Sequence, residues 1–515
     1  MKEFQNEAFT DFTNDLHASE IKKAIASVQS ELGKTYPNYI GGKTIECQET
    51  FASINPSQKE QVVGIFPKAT TEHIDQAVDS AWQAYETWSK EPVAVRAQIL
   101  FDAARLMRER KHQFSSWMMF ETGKTWIEAD ADTAEAIDFM EFYGREMLRL
   151  AKGQELTKIP TEENELSYRP LGVGAVIPPW NFPLAICVGM TTAAVVSGNT
   201  VVLKPSSDAP TVAYQFVELM REVGLPKGVI NFVTGSGRQI GDHLTSHPKI
   251  RFISFTGSKE VGLRINELAA KTNPKQKWIK RVVAEMGGKD AIVVDKGANV
   301  DEVATGIVAA AFGFQGQKCS ACSRAIIVED LYEEVVEAVI EKTKQLKMGN
   351  PWERETQIGP VISSSAFEKI TQYIEIGKKE GSLVLGGNPT RNEGYFIEPT
   401  VIRDVPNEAR ISKEEIFGPV LALTKAKDFD QALAYANDTD FGLTGAVYSN
   451  NPDHLEKARQ DYFVGNLYLN RKCTGALVGV HPFGGFNMSG TDSKAGGKDY
   501  LLLFTQAKLI SKKIV

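Results

Sequence analysis

The chain has 515 residues, 42% of them hydrophobic and 24% charged, an ordinary balance for a globular protein. That length predicts roughly two or three domains and excludes a disulfide miniprotein, a fibrous repeat and a disordered chain. A formal net charge of −7 gives no basic field for nucleic acid or anionic lipid, so neither is expected as a partner.

Five scattered cysteines (Cys47, Cys187, Cys319, Cys322 and Cys473) predict free thiols in a reducing compartment, hence a cytoplasmic protein. The opening stretch lacks the apolar run of an export signal and is too acidic for a transit peptide. Residues 70–150 read as mainly helical, with Ile74, Ala77, Val78, Ala81 and Tyr85 at helical spacing. Further along, Glu135 shares a face with Ala131, Phe139 and Phe142. An acid on such a stripe is either a snorkelling surface group or a buried functional one. A polar stretch follows Tyr143, then a predicted strand pair near 154–170.

From residue 171 the pattern alternates. Strands are expected at 172–177, 200–204, 229–233 and 251–255. Helices near 184–197, 211–223, 237–246 and 259–271 separate them. Such alternation predicts βαβ units and a mostly parallel sheet. Residues 170–203 carry no charge, and a membrane span needs ~20 apolar residues. Pro178, Pro179, Asn181 and Pro183 interrupt the run, so a buried strand, loop and helix is expected instead. A second alternating block has a strand at 290–294, a helix at 300–314, a strand at 324–328 and a helix at 331–347. Strands near 420–424 and 444–448 extend it. The tail ends in a predicted strand, 508–515, with no local partner. It is expected to join a sheet in a partner subunit.

Two glycine-bearing turns stand after strands and before helices: Gly235-Ser-Gly237 and Phe255-Thr256-Gly257-Ser258. Glycine there lets backbone approach a phosphate at a helix N-terminus. Neither turn has the standard three-glycine spacing, so a plain strand-to-helix turn is the alternative. Lys204 ends its strand as either a ribose-binding group or a solvated strand end.

Cys319 and Cys322 form a C-x-x-C pair. A structural zinc site would need a second ligand pair at suitable spacing, and none exists, so no metal is expected. A redox pair, a buried structural cysteine and a catalytic nucleophile remain open. The seven histidines carry no cysteine–histidine protease signature. Glu285 sits at a strand end, two residues before paired glycines. It is either a surface acid or a general base with a raised pKa.

Six segments then fall in one order: Pro179-Trp180-Asn181-Phe182-Pro183, Lys204-Pro205-Ser206, Phe255-Thr256-Gly257-Ser258, Glu285-Met286-Gly287-Gly288-Lys289, Gly316-Gln317-Lys318-Cys319 and Glu415-Ile416-Phe417-Gly418-Pro419. Together they resemble the motif series of the aldehyde dehydrogenase superfamily over most of the chain. Lys318-Cys319-Ser320-Ala321 and the run 474–485 resemble its 1-pyrroline-5-carboxylate dehydrogenase branch.

The resemblance implies an α/β fold: a Rossmann-type cofactor domain, an α/β catalytic domain and a β-hairpin oligomerisation arm. It implies segments 1–149 and 169–286 for the first, 287–485 for the second, and 150–168 with 486–515 for the arm and terminal strand. By similarity Cys319 is the nucleophile, Asn181 the oxyanion donor and Glu285 the base that activates water on a thioester. Pro179, Trp180, Lys204, Ser206, Ser207, Gly237, Thr256, Gly257, Ser258, Glu415 and Phe417 match positions that bind NAD. Ser207 departs from the many relatives that carry a glutamate there to repel a 2′-phosphate, so weaker use of NADP is expected. Phe182 and Phe483 match walls of the substrate pocket, Ser320, Gly475 and Ala476 its carboxylate anchor, and Glu135 an acid lining it. The implied reaction is oxidation of L-glutamate γ-semialdehyde to L-glutamate in proline and arginine degradation. A homodimer or higher homo-oligomer is implied, with proline oxidation left to a separate proline dehydrogenase. The competing expectations are an aldehyde dehydrogenase for another substrate, such as succinate semialdehyde, a scaffold that kept the fold, and a binding module or part of a bifunctional proline-degrading enzyme.

Overall fold

Short β-branched runs supply the strands of two seven-stranded sheets. In this computed structural model, which describes residues 3–390 and 392–514, Thr200–Leu203 and Asp290–Val294 are buried at every position, as central strands of parallel sheets are. The first sheet runs in the order Arg281–Glu285, Phe252–Thr256, Val173–Ile177, Thr200–Leu203, Ile230–Phe232, Asn38–Ile40, Lys43–Ile45. Its first five strands are parallel. The strand order reverses beside Val173–Ile177, the kind of switch point where α/β sheets bind ligands.

The uncharged run is the strand Val173–Ile177, a loop, and the helix Ala185–Val196, which is buried at every residue except Ile186. No described helix is long and apolar enough to cross a membrane. Nothing before residue 70 was assigned an element from sequence. The structure has the helix Asp15–Gln29 there, capped by the Asn14 side chain, and two short strands that extend the first sheet antiparallel.

The second sheet runs Ser382–Leu385, Thr400–Arg403, Val420–Ala426, Cys322–Val328, Asp290–Val294, Thr444–Tyr448, Asn466–Leu469, parallel except for the first pair. Four residues, Met286 to Lys289, carry the chain from the last strand of one sheet into the other.

The arm differs from the sequence expectation. It is not a local hairpin. Glu162–Pro170 pairs antiparallel with Thr505–Lys513 of the same chain, over nine residue pairs from Thr505↔Pro170 to Lys513↔Glu162. Gln154 makes only an isolated bridge to Leu166. The tail therefore finds its partner within its own chain, and its expected last residue, Val515, lies outside the described residues. Opposite charges stand across the ribbon, which favours this register. Lys512 faces Glu163 and Lys513 faces Glu162, and the first pair closes to 3.5 Å. Where the ribbon leaves the body, Arg281 Nη1 donates to Leu502 O, Leu503 O and Thr505 O at 2.7–3.0 Å.

Candidate active site

The carboxyl ends of the first sheet's strands carry most of the predicted cofactor residues. Lys204 follows Thr200–Leu203 and is buried. Its Nζ donates to Pro205 O at 3.1 Å, and burial pulls its pKa down to about 8. Nearby, Gly237–Gly241 forms one wide π-helical turn. Both line a cleft of about 550 Å³ with Ile177, Arg238 and Arg264. Ser206 and Ser207 are engaged locally: Asp208 N donates to the Ser206 hydroxyl, and the Ser207 hydroxyl donates to Gly235 O. Thr256 ends its strand with its hydroxyl on the Met190 sulfur, 3.5 Å away. Gly257 N donates to Glu285 O at 3.1 Å, and Ser258 caps the helix Lys259–Ala270.

The loop after Val173–Ile177 carries Pro179, Trp180, Asn181 and Phe182. Asn181 is buried, and its Nδ2 donates to Gln317 O at 3.1 Å, two residues before Cys319. The amide is thereby fixed beside the cysteine turn, with a second hydrogen left to donate. That turn is tight: Phe314 and Gln315 have φ of 49° and 56°, unusual for residues with a side chain. Cys319 follows, partly exposed, just ahead of the strand Cys322–Val328. Burial, then the carboxylates of Asp290, Glu285 and Glu415, push its thiol well above the ordinary range. Gly288 is required by close approach, since a Cβ there would run into Cys319 O and Asp290. Trp180 stands edge-on to Phe417, with ring centroids 5.5 Å apart.

Four titratable groups surround this turn. Glu285 Oε1 accepts from Ser493 Oγ at 2.6 Å and Ser493 N at 3.3 Å, and Oε2 accepts from Gly485 N at 3.2 Å. Burial raises its pKa to about 7 in spite of these bonds. Glu415 accepts from Gly288 N at 2.9 Å and is also raised by burial. Asp290 accepts from Thr444 N at 2.7 Å, and burial pushes it up to about 8. Lys289 is pulled down to about 7 by burial, and its Nζ has no hydrogen-bond partner among the described residues.

Of the predicted substrate residues, Ser320 is buried and its carbonyl accepts from Cys473 Sγ at 3.5 Å. Gly475 has φ of 82°, and Arg471 donates to Thr474 O and Gly475 O. Among the described residues, the N–H groups of Gly475 and Ala476 have no acceptor. Phe483 pairs with Ala495 in the same loop system as Ser493. Glu135 is half-buried, and burial, then Asp132, raises its pKa to about 8.

Asp75 on the helix Thr71–Trp88 clusters with His243 and His247, on and just after the short helix Asp242–Ser246. Both Nε2 atoms face Asp75 Oδ1, at 2.6 and 3.3 Å. Lys249 N donates to His247 Nδ1, which keeps that ring's proton on Nε2, aimed at the carboxylate. The cluster is a hydrogen-bonded group with the His247 lone pair already used.

Sequence reasoning missed Lys124, Glu128, Asp132 and Ser493. Glu128, Asp132 and Glu135 lie at helical spacing on Trp126–Leu150, a signal that was available. Lys124 and Ser493 carry no local signal. Lys124 is fully buried, with Nζ 3.4 Å from Asp132 Oδ2.

A thiol beside a fixed amide donor, with a carboxyl group poised near neutrality, can form and hydrolyse an acyl adduct. The aldehyde dehydrogenase family model matches residues 44–510, and the chain belongs to that family. A 1-pyrroline-5-carboxylate dehydrogenase from Geobacillus thermodenitrificans is 57% identical over 509 residues, covering 99% of each chain. The crystal structure of 1-pyrroline-5-carboxylate dehydrogenase from Thermus with bound NAD is 49% identical, with a TM-score of 0.98 and 100% of both chains covered. Proline utilization A from Bdellovibrio bacteriovorus is 40% identical at a TM-score of 0.98, and the match covers 100% of this chain and 53% of that one.

Proposed function

We propose that the protein oxidises L-glutamate γ-semialdehyde, the open form of 1-pyrroline-5-carboxylate, to L-glutamate. The observation that carries this reading is the 57% identity, over 99% of both chains, to a 1-pyrroline-5-carboxylate dehydrogenase. NAD, bound in the cleft beside Lys204, supplies the hydride acceptor. Two features support the fit. Nothing lies within 4 Å outside Gly237 or Gly241, which leaves room for a pyrophosphate. The buried Lys204 ammonium has only its neighbour's carbonyl as acceptor, so ribose hydroxyls would satisfy it.

In this mechanism Cys319 Sγ attacks the aldehyde carbon. Its raised pKa means that the resting thiol is protonated. That proton passes to solvent, which leaves Glu285, raised to about 7, free to act as the base in the later hydrolysis. The alkoxide sits between the free Asn181 amide hydrogen and the Cys319 N–H, and each such donor is worth roughly 3 kcal/mol. After hydride leaves, the thioester is hydrolysed by water that Glu285 deprotonates. Glu285 must first turn from Ser493 and Gly485 to do so. Phe182 and Phe483 wall the methylenes. Ser320 with the unpaired Gly475 and Ala476 N–H groups takes the α-carboxylate, and Glu135 lines the pocket. Pro179, Trp180, Ser206, Ser207, Thr256, Gly257, Ser258, Glu415 and Phe417 line the cofactor.

The same reading divides the chain into the three parts given above, with the ribbon as an oligomerisation arm in a cytoplasmic homodimer or higher oligomer. A separate proline dehydrogenase supplies its substrate. The test is direct: purified protein, NAD and pyrroline-5-carboxylate should generate NADH absorbance, and Cys319→Ala should not. Absence of NADH with that substrate alone, while succinate semialdehyde reacts, defeats the substrate assignment.

A further inference from the structure

The proposed oxyanion donor and nucleophile come from different sheets, and a single buried cation lies between their supports. Lys124 is 0% exposed. Its Nζ is 4.2 Å from the centroid of the Phe182 ring and 4.0 Å from that of Phe314. Phe182 is the residue after Asn181. Phe314 opens the turn that ends in Cys319. Asp132 Oδ2 stands 3.4 Å from Nζ, while Asp132 Oδ1 accepts from Ala185 N at 2.6 Å, at the start of the helix that follows the Asn181 loop. One turn earlier on the same helix, Glu128 grips Lys318, the neighbour of Cys319, with both oxygens at 2.8 and 2.7 Å. One helix thus holds the oxyanion loop through Asp132 and the nucleophile turn through Glu128. Lys124 fills the space between. Its Nζ makes no well-formed hydrogen bond, so the two ring faces and one carboxylate hold it.

We propose that Lys124 is a positioning residue whose ammonium, clamped between Phe182 and Phe314, sets the spacing between the Asn181 amide and the Cys319 sulfur. The proposal rests on the roles assigned above to those two residues. A neutral side chain of similar length would fill the space without attracting either ring. The rings would then no longer be drawn together, and the oxyanion site would widen.

The experiment is a double-mutant cycle between Lys124→Met and Asn181→Ala, read by single-turnover NADH formation with pyrroline-5-carboxylate and with propanal. A misplacement of about 1 Å costs on the order of 10²-fold in rate, so Lys124→Met should fall by about that factor. NAD affinity should be unchanged, and both aldehydes should lose the same factor. In the Asn181→Ala background Lys124→Met should cost little, because the group it positions is gone. Lys124→Arg, still a cation that stacks on rings, should recover part of the rate. Lys124→Met leaves Asp132 unpaired, so Lys124→Met/Asp132→Asn serves if the single variant does not fold; it too should be slow. Additive effects, a loss confined to the semialdehyde, or a wild-type rate in either folded variant would overturn the proposal. Activity surviving in Cys319→Ala would instead overturn the site assignment on which it rests.

Discussion

The two sheets meet at the site by opposite edges. In the first, the functional candidates follow their strands: Asn181 after Val173–Ile177, Lys204 after Thr200–Leu203, Thr256 and Glu285 at strand ends. In the second they precede them: Cys319 before Cys322–Val328, Gly288 before Asp290–Val294, and Glu415 with Phe417 before Val420–Ala426. The segment Glu285 to Asp290 joins a carboxyl edge to an amino edge directly. A cleft between such edges is lined from both sheets: the proposed chemistry draws on Asn181 and Glu285 of the first and Cys319 of the second, and the proposed cofactor contacts on Lys204 of the first and Glu415 and Phe417 of the second. The individual roles should therefore be separable by mutation.

The largest effect should come from the second sheet alone. Cys319→Ala should abolish aldehyde oxidation while NAD binding, followed by fluorescence, is retained. Cys322→Ala, buried on the strand behind, should keep most activity. The reverse result would move the chemistry elsewhere.

Glu285 stands on the boundary and sharpens the comparison. Glu285→Gln should still release a burst of about one NADH per active subunit, then turn over ~10²-fold more slowly, the scale of losing a general base. The carboxyl titrates at about 7 because burial opposes its charge. Below that pH it is protonated and cannot accept a proton. Wild-type steady turnover should therefore rise as pH passes upward through about 7, and the Gln variant should lack that rise. A pH profile unchanged by the substitution removes Glu285 from the step.

The substrate end should follow from neither sheet's strands but from the loop 474–485. A carboxylate held by several N–H groups gains roughly 1.5–3 kcal/mol per bond. Propanal and similar aldehydes without that group should lose at least ~10²-fold in kcat/KM. Phe483→Ala should cost about 1–3 kcal/mol in apolar contact with the semialdehyde. Equal efficiency with succinate semialdehyde would break the subfamily assignment and leave the family intact.

The smallest change belongs to the first sheet. The hydroxyl of Ser207 is neutral and tied to Gly235 O, so no side-chain charge at that position repels a 2′-phosphate. Detectable NADP use is expected, with NAD preferred. Ser207→Glu should suppress NADP far more than NAD without altering the Cys319 burst. Silence with millimolar NADP in the wild type would show that another group excludes the phosphate.

The motif segments were legible as an ordered series, because short stretches marked by glycines and prolines fall at strand ends and turns, each ambiguous when taken alone. Glu285 could be singled out from an acid next to paired glycines, and the parallel sheets from strand–helix alternation. Lys124 could not. A lysine before a helix reads as a solvated cap, and only tertiary packing seals it between two rings that are 132 residues apart in sequence from each other. The ribbon was misread for the same reason. Its strands were both foreseen near 154–170 and 508–515, yet pairing so distant leaves no local mark, and a hairpin and a partner subunit were the nearest explanations.

That ribbon bears on how the protein is made. Ser511 bonds to Glu162 across 349 residues of chain, so the strand Glu162–Pro170 is synthesised long before its partner. Until then it is a long edge with open N–H and C=O groups, the kind of surface that pairs with other chains. The Arg281 contacts with Leu502, Leu503 and Thr505 also form last, and Arg281 begins the strand that ends in Glu285. Pairing of such distant segments is intrinsically slow. A nascent chain arrested before residue 500 would therefore expose a sticky edge and leave the strand that bears the proposed base untethered, which makes the final stretch of translation the point of greatest aggregation risk.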